Sequence, residues 1–286
     1  MLVDEKFPPV PSEKTGWPWV VESIPTSPIF PNNNAWPKVS IVTSSYNQGD
    51  YLEKTIRSVL LQGYPNLEYV IIDGGSSDNS VDVIKKYEPW LSYWVSEPDN
   101  GIYDAWNKAL RVVTGDWIAF IGCGDVFVDK AIGEYVRYIR ASDGQLEFVS
   151  SQMDIVDSDG QKLRMFGEAW DWCKIRKNMT VAHPGAFHNR RLFEKYGIFN
   201  DSYRIAGDYE LLLRTKGSLR AGFLAMHTVQ MLEGGSSTNL GVFGENYRAK
   251  TESGCLNKFV CFFEESDKWW TTFSHYMVRR LRRRFC

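Results

Sequence analysis

Val39-Ser-Ile-Val-Thr-Ser-Ser-Tyr-Asn-Gln48 opens with β-branched and apolar residues and closes with small polar ones. A short apolar run of this kind is a buried strand, here residues 39–43, and its polar tail is the exit loop. Downstream, Leu52, Ile56, Val59 and Leu60 fall on one helical stripe. Asp50-Tyr-Leu-Glu53 has the form of a capping box, and Gly63 and Pro65 mark the stop. The same alternation repeats: strand 67–73, helix 77–87, strand 92–97, helix 102–113, strand 117–121. Strands and helices alternating through short loops predict an α/β fold, a mostly parallel sheet covered by helices.

Past residue 130 the pattern loosens. A helix is expected over 128–139 and strands over 147–151 and 152–166, the second turning at Asp157-Ser-Asp-Gly160. Helices follow at 190–196 and 208–215, then a flexible loop, Glu233-Gly-Gly-Ser-Ser237, and a helical tail carrying Arg279-Arg-Leu-Arg-Arg-Arg284. Eight of the 12 prolines lie within residues 1–37, which excludes regular structure there. Trp17, Trp19 and Trp36 imply an extended arm lying on the domain. The expected organisation is therefore an arm (1–37), a regularly alternating half (38–130), a looser half of the same domain (131–245) and a basic helical tail (246–286).

The chain has 286 residues, 43% hydrophobic, with net charge −2, so it has no global electrostatic case for a nucleic-acid partner. Its five cysteines, at 123, 173, 255, 261 and 286, show no metal spacing, as expected of reduced thiols in a cytoplasmic setting. No signal-peptide pattern and no run of the ~20 apolar residues needed for a membrane span is present. Trp269, Trp270, Phe273, Tyr276 and Met277 directly precede the arginine run, a composition suited to peripheral contact with an anionic membrane. The alternative is a basic tail solvated or packed on its own domain.

In an open parallel sheet, ligands bind beyond the carboxyl ends of the strands. Every such exit here is polar: Thr43-Ser-Ser-Tyr-Asn-Gln48, Asp73-Gly-Gly-Ser-Ser-Asp78, Glu97-Pro-Asp-Asn-Gly101 and Gly122-Cys-Gly-Asp125. Turn-forming preference explains each loop singly, but the set less well. Tyr46 can stack on a nucleobase and Asp73 can accept hydrogen bonds from its imide edge. Asp125, at a strand tip, suits a hard divalent cation bridging two phosphates. Asp208, opening a helix in Ala206-Gly-Asp-Tyr-Glu210, suits a general base. Gly122-Cys-Gly124 is not a dinucleotide fingerprint, since Phe127 holds the third glycine position.

Taken in order with Tyr69-Val-Ile-Ile-Asp-Gly-Gly-Ser-Ser-Asp78 and Asp99-Asn-Gly-Ile-Tyr-Asp-Ala-Trp-Asn107, these motifs resemble the inverting glycosyltransferases of family 2, over roughly residues 38–240. The resemblance implies a GT-A fold with a Rossmann-like sheet, in which residues 38–130 form the nucleotide-sugar-binding half and 131–245 the acceptor-side and catalytic-base half of the same domain. It implies that Thr43, Tyr46 and Asp73 hold the nucleoside of a nucleotide-sugar donor, that Asn100 and Asp104 line the donor pocket, and that Asp125 holds Mg2+ or Mn2+. Asp208 matches the catalytic base, and His183, in His183-Pro-Gly185, is a candidate on the acceptor side. One departure stands out: the first Asp of the family's metal motif is Cys123, a poor ligand for Mg2+ and a weakened donor contact.

The activity so implied is metal-dependent transfer of a sugar from a nucleotide-diphosphate sugar to a hydroxyl of a glycan or lipid-linked glycan. Cell-surface polysaccharide or lipopolysaccharide assembly is the expected setting, in the cytoplasm or at the inner face of the membrane. The rivals are a catalytically impaired nucleotide-sugar-binding protein, a polyprenyl-phosphate sugar transferase, and a nucleotidyltransferase. The last would need a basic Gly-rich loop after the first strand, which Thr43–Gln48 lacks.

Overall fold

The computed structural model describes residues 7–20, 35–235 and 239–282, the last ten as backbone only. The first part of the chain runs β1 (Val39–Ser45), α1 (Gly49–Leu60), β2 (Leu67–Asp73), α2 (Ser80–Tyr87), β3 (Tyr93–Ser96), α3 (Ile102–Leu110), β4 (Trp117–Gly122), β5 (Val126–Phe127) and α4 (Ala131–Ala141). It continues with β6 (Phe148–Val156), β7 (Lys162–Phe166), α5 (Trp172–Ile175), β8 (Phe187–Asn189), α6 (Arg190–Tyr196), α7 (Gly207–Arg214), β9 (Ala221–Leu232), α8 (Val242–Glu252) and α9 (Lys258–Arg282).

One sheet holds all nine strands in the order β3-β2-β1-β4-β8-β6-β9-β5, with β7 on β6. β1 to β4 are parallel, as expected of strand–helix alternation. β8 runs antiparallel to both β4 and β6, so the sheet changes sense in its second part, and β9 is again parallel to β6.

Both faces of the parallel part are buried, and alternation along β1 shows how. Val39 and Ile41 pack with Leu52, Ile56 and Val59 of α1, while Val42 packs with Trp106 and Ala109 of α3. Successive side chains of a strand point to opposite faces, so a continuous apolar run serves two helix layers at once.

Several local expectations change. Glu53 forms no capping box; it bonds Lys86 Nζ (2.6 Å) and accepts from Tyr87 OH (2.7 Å). The N-terminus of α1 is served instead by the neighbouring exit loop, through Gly49 N–H to Asp78 Oδ2 (2.9 Å) and Gln48 N–H to Ser80 Oγ (3.3 Å). The two strands expected between 147 and 166 are one long strand, β6, and its hairpin partner β7. The helical tail is broken at Ser253-Gly254 into α8 and α9. β8 and the twelve-residue β9 had no expected counterpart.

The described part of the arm packs on α1 and α2. Buried Arg57 donates to Pro8 O (3.0 Å) and Pro18 O (3.3 Å), with its guanidinium over the rings of Phe7 and Trp19. Trp17 Nε1 donates to Phe127 O (2.7 Å). Pro25, Pro28 and Pro31 of the arm, Ser236 and Ser237 of the glycine loop, and the side chains of Phe273, Tyr276, Met277 and Arg279–Arg284 lie outside the described residues. Among the described residues no helix is long and apolar enough to cross a membrane.

Candidate active site

Register brings the strand exits together. Ser45 pairs with Asp73 across β1 and β2, and Ser44 with Gly122 across β1 and β4, so their loops leave the sheet at one edge. A cleft of about 650 Å³ opens there. The strand-exit residues Ser44, Tyr46, Gln48, Cys123 and Asp125 make its first wall, and Arg204, Ile205, Asp208 and Met231–Gly235, from the later chain, make its second. Trp106, Phe120 and His183 also line it.

Asp125 closes a tight turn, its N–H donating to Gly122 O (3.1 Å). Its Oδ1 accepts from Leu232 N–H (3.2 Å) at the end of β9. A side chain at Gly122 would come within 3.3 Å of Oδ2, so the glycine keeps that oxygen open. Burial pushes this carboxyl up to about 7, against the two backbone N–H groups that favour its charge. The Cys123 thiol donates to Gln48 O (3.4 Å), and burial pushes it up to about 12. It is therefore a protonated thiol at neutral pH, and metal ligation needs the thiolate.

Asp208 sits in the first turn of α7, where helix N–H groups favour a negative charge. Its Oδ1 accepts from Tyr209 N–H (2.8 Å). Tyr103 shares its single hydroxyl proton between Ile205 O (2.6 Å) and Asp208 Oδ1 (3.1 Å). The side chain keeps 22% of its surface. Burial raises its carboxyl to about 6, the hydrogen bonds from Tyr209 and Tyr103 opposing that rise. A carboxylate tuned this way stays ionised at neutral pH yet binds a proton more strongly than a free aspartate.

His183 is buried, stacked on Trp106 at 5.3 Å between ring centres, with Nδ1 4.0 Å from Asp208 Oδ2. Burial lowers its pKa to about 3, so the ring is neutral and this contact is not an ion pair. Its Nε2 is buried with no protein partner. Such a group costs free energy unless a ligand or water satisfies it.

The segment leading into α7 is fixed from α8. Glu245 Oε1 accepts from Arg204 N–H and Oε2 from Ile205 and Ala206 N–H, each at 2.8 Å. Gly101, with φ +114, lies against the Arg204 side chain: a Cβ there would lie 2.7 Å from Nη1.

The expected site residues therefore divide. Tyr46 (62% exposed), Cys123, Asp125, His183 and Asp208 line the cleft. Thr43, Asp73, Asn100 and Asp104 are not among its lining residues. Thr43 is fully buried against Tyr69 OH (2.9 Å). The Asp73 carboxylate, also fully buried, accepts from Ser76 N–H (2.9 Å), Ser76 Oγ (2.6 Å) and Ser96 Oγ (2.6 Å). Asp104 caps Asn100 N–H (2.9 Å) and faces Lys108. Asp99 reaches the cleft instead, from the same polar exit. Arg204, Glu233 and the supporting Glu245 carried no local signal.

Four carboxylates (Asp99, Asp125, Asp208, Glu233) and one Arg stand among the described lining residues. No group of three or more His, Cys, Asp or Glu forms a metal cluster among the described residues. One open aspartate oxygen fits a cation of the Mg2+ or Mn2+ type, which takes one or two carboxylates and completes its shell with substrate phosphates and water.

Comparison with known proteins converges on one family. Residues 40–199 match the model of glycosyl transferase family 2. An uncharacterized glycosyltransferase of Mycobacterium tuberculosis is 32% identical over 187 residues, covering 62% of this chain and 68% of the relative. A PGL/p-HBAD biosynthesis glycosyltransferase of Mycobacterium bovis is 27% identical over 187 residues, 63% of this chain and 70% of its own. In fold, the chain matches S. aureus TarS 1-349 in complex with UDP, with TM-score 0.60 at 16% identity over 80% of this chain and 70% of that one. It also matches the mannosyltransferase PcManGT from Pyrobaculum calidifontis in complex with GDP-Man and Mn2+, with TM-score 0.57 at 18% identity over 79% and 65%. With its α/β sheet of GT-A type and a family match over more than half its length, the chain belongs to glycosyl transferase family 2.

Proposed function

We propose that this glycosyltransferase inverts configuration, moving a sugar from a nucleotide-diphosphate sugar to a hydroxyl of a glycan or lipid-linked glycan. The observation that carries the proposal is that Asp125 and Asp208 line one cleft, both raised by burial and each held by different partners. Neighbours in fold that bind UDP or GDP-Man support a nucleotide-sugar donor.

Asp208 takes the proton of the acceptor hydroxyl, whose oxygen attacks the anomeric carbon from the face opposite the diphosphate. Tyr103 orients the base, and neutral His183 offers Nε2 to the acceptor or the sugar. Tyr46 stacks on the nucleobase, and Arg204 supplies the positive charge of the lining. Asp125 is the protein ligand of the divalent cation. When bound, that cation supplies charge that stabilises the leaving diphosphate. Four lining carboxylates against one arginine make such a charge necessary for a diphosphate to enter. Thr43 and Asp73 serve the nucleoside side from behind the lining, by fixing Tyr69, Ser76 and Ser96. Asp104 with Asn100 shapes the loop that carries Asp99.

The setting is polysaccharide or lipopolysaccharide assembly in the cytoplasm, peripheral to the inner membrane face. A screen of sugar nucleotides by thermal shift, with and without Mn2+, followed by product anomer analysis, tests the proposal. Product with retained configuration, or no nucleotide sugar that stabilises the fold, rejects it.

A further inference from the structure

Asp73, the carboxylate expected to meet a nucleobase, is out of reach. It is fully buried, and both of its oxygens are taken up by Ser76 and Ser96. Asp99 enters the cleft from the next strand exit. Its Oδ1 accepts from Gly101 N–H (2.8 Å), while its Oδ2 has no partner among the described residues.

Gly74 sets that oxygen beside Tyr46. A Cβ on Gly74 would lie 2.6 Å from Asp99 Oδ2 and 3.3 Å from Tyr46 Cδ2, so carboxylate and ring meet around one bare Cα. Strand order gives the direction. The exits of β3, β2, β1 and β4 lie side by side along the edge and carry Asp99, Gly74, Tyr46 and Asp125 in turn. Like charges repel, so a diphosphate belongs at the Asp125 end with its cation, away from Asp99. The base, which offers N–H groups, then takes the Asp99 end. Stacked on the exposed Tyr46 ring, it presents its edge to Asp99 Oδ2.

We propose that Asp99 reads the donor's nucleobase by accepting from a protonated ring nitrogen, so that uracil or guanine nucleotides are taken in preference to cytosine or adenine ones. Uracil N3 and guanine N1 carry a hydrogen. The matching atoms, cytosine N3 and adenine N1, carry a lone pair that would face the carboxylate. The inference deepens the donor assignment proposed above and rests on it.

Calorimetry on the full chain with UDP, CDP, GDP and ADP, each with Mn2+, tests it. In the wild type, UDP should bind at least ~10-fold tighter than CDP, or GDP than ADP, the scale of one hydrogen bond to a charged group. Asp99→Asn keeps an oxygen for Gly101 N–H and sets an amide N–H2 in the place of Oδ2. Affinity for the preferred nucleotide should fall ~10-fold or more, and affinity for CDP or ADP should rise. A carboxylate that only shaped its loop would give no such gain. Tyr46→Ala should weaken all four nucleotides alike, about 10-fold, and keep their ratios. If Asp99→Asn does not fold, the wild type decides with 3-methyluridine and 1-methylguanosine diphosphates, which lack the hydrogen and should bind at least ~10-fold more weakly than UDP and GDP. Unchanged ratios in folded Asp99→Asn, a wild-type preference for CDP or ADP, or equal binding of the methylated bases overturns this inference and leaves the transferase proposal standing. Binding of none of the four nucleotides overturns both.

Discussion

The two walls of the cleft are built by opposite means. On the first, sheet register delivers the backbone of Tyr46, Cys123 and Asp125 to a common edge, and a backbone N–H of β9, Leu232, then steadies the Asp125 carboxylate. On the second, Asp208 stands on no strand end. Tyr103 of α3 reaches it from 105 positions away, and Glu245 of α8 holds the preceding backbone from 39 to 41 positions away. Placement by register is rigid and local. Placement by long-range side chains is adjustable, which suits a base whose position and proton affinity must match a reacting hydroxyl. Substitutions on the first wall should therefore change binding, and those on the second should change turnover.

The largest effect tests the second wall. Asp208→Asn should leave nucleotide-sugar binding intact and lower turnover by ~10²–10⁴, the usual worth of a positioned base. Stopped assays on the purified variant measure this; near-normal turnover would remove the base assignment. In the wild type, turnover should fall as pH drops through about 6, because protonation of Asp208 removes the base.

Asp125→Ala tests the first wall. It should remove the tightening of nucleotide-diphosphate binding by Mn2+ in calorimetry, and equal enhancement in both proteins would sink the ligand role. Stability gives an independent check. A folded carboxyl at about 7 contributes stability that is present below its unfolded value of ~4 and is lost as pH rises through 7. Asp125→Asn should then raise Tm at pH 8, ~2–4 °C for each kcal/mol recovered, and leave it unchanged at pH 4.

The same contrast explains what the sequence could show. The first four strands are apolar runs separated by helical stripes, and their exits are polar; both signals are local, so the parallel part and its Asp125 edge were legible. β9, Ala-Gly-Phe-Leu-Ala-Met-His-Thr-Val-Gln-Met-Leu, mixes small, polar and apolar residues without alternation, because β6 pairs with it through two register shifts. Thr43 and Asp73 sit at the strand exits yet turn into the body, a distinction set by pleat and by serine partners rather than by residue type. Arg204 and Glu245 enter only through tertiary contact. Asp208 was visible from its family motif, whereas its supports were not.

Glu245→Gln sharpens the comparison at intermediate size. Three backbone N–H groups lose a charged acceptor, so the segment before Asp208 loosens while the first wall is untouched. Turnover should drop about 10-fold with donor KM unchanged, the scale expected of a small displacement of a reacting group. Burial sets most of the rise in Asp208, but the Glu245 charge adds to it, so removing that charge should move the acid limb of the pH profile to lower pH. A KM effect with no shift of the limb would place Glu245 in donor binding instead.

Cys123→Ser should have the smallest effect, and its size discriminates two views of the first wall. The thiol is protonated at neutral pH and donates to Gln48 O. A serine hydroxyl can make the same bond to Gln48 O at shorter range and adds no charge, so activity with Mg2+ and with Mn2+ should change less than ~2-fold, within the scatter of substitutions that keep a contact. Cys123→Asp is the informative companion. It places a second carboxylate beside Asp125 on a wall that lacks any cation of its own, raising the demand for a bound divalent ion. Metal affinity should rise while metal-free nucleotide binding weakens. If Cys123→Ser instead shifts preference sharply between Mg2+ and a softer ion such as Mn2+, the sulfur is a ligand after all, and the first wall holds its cation through more than Asp125.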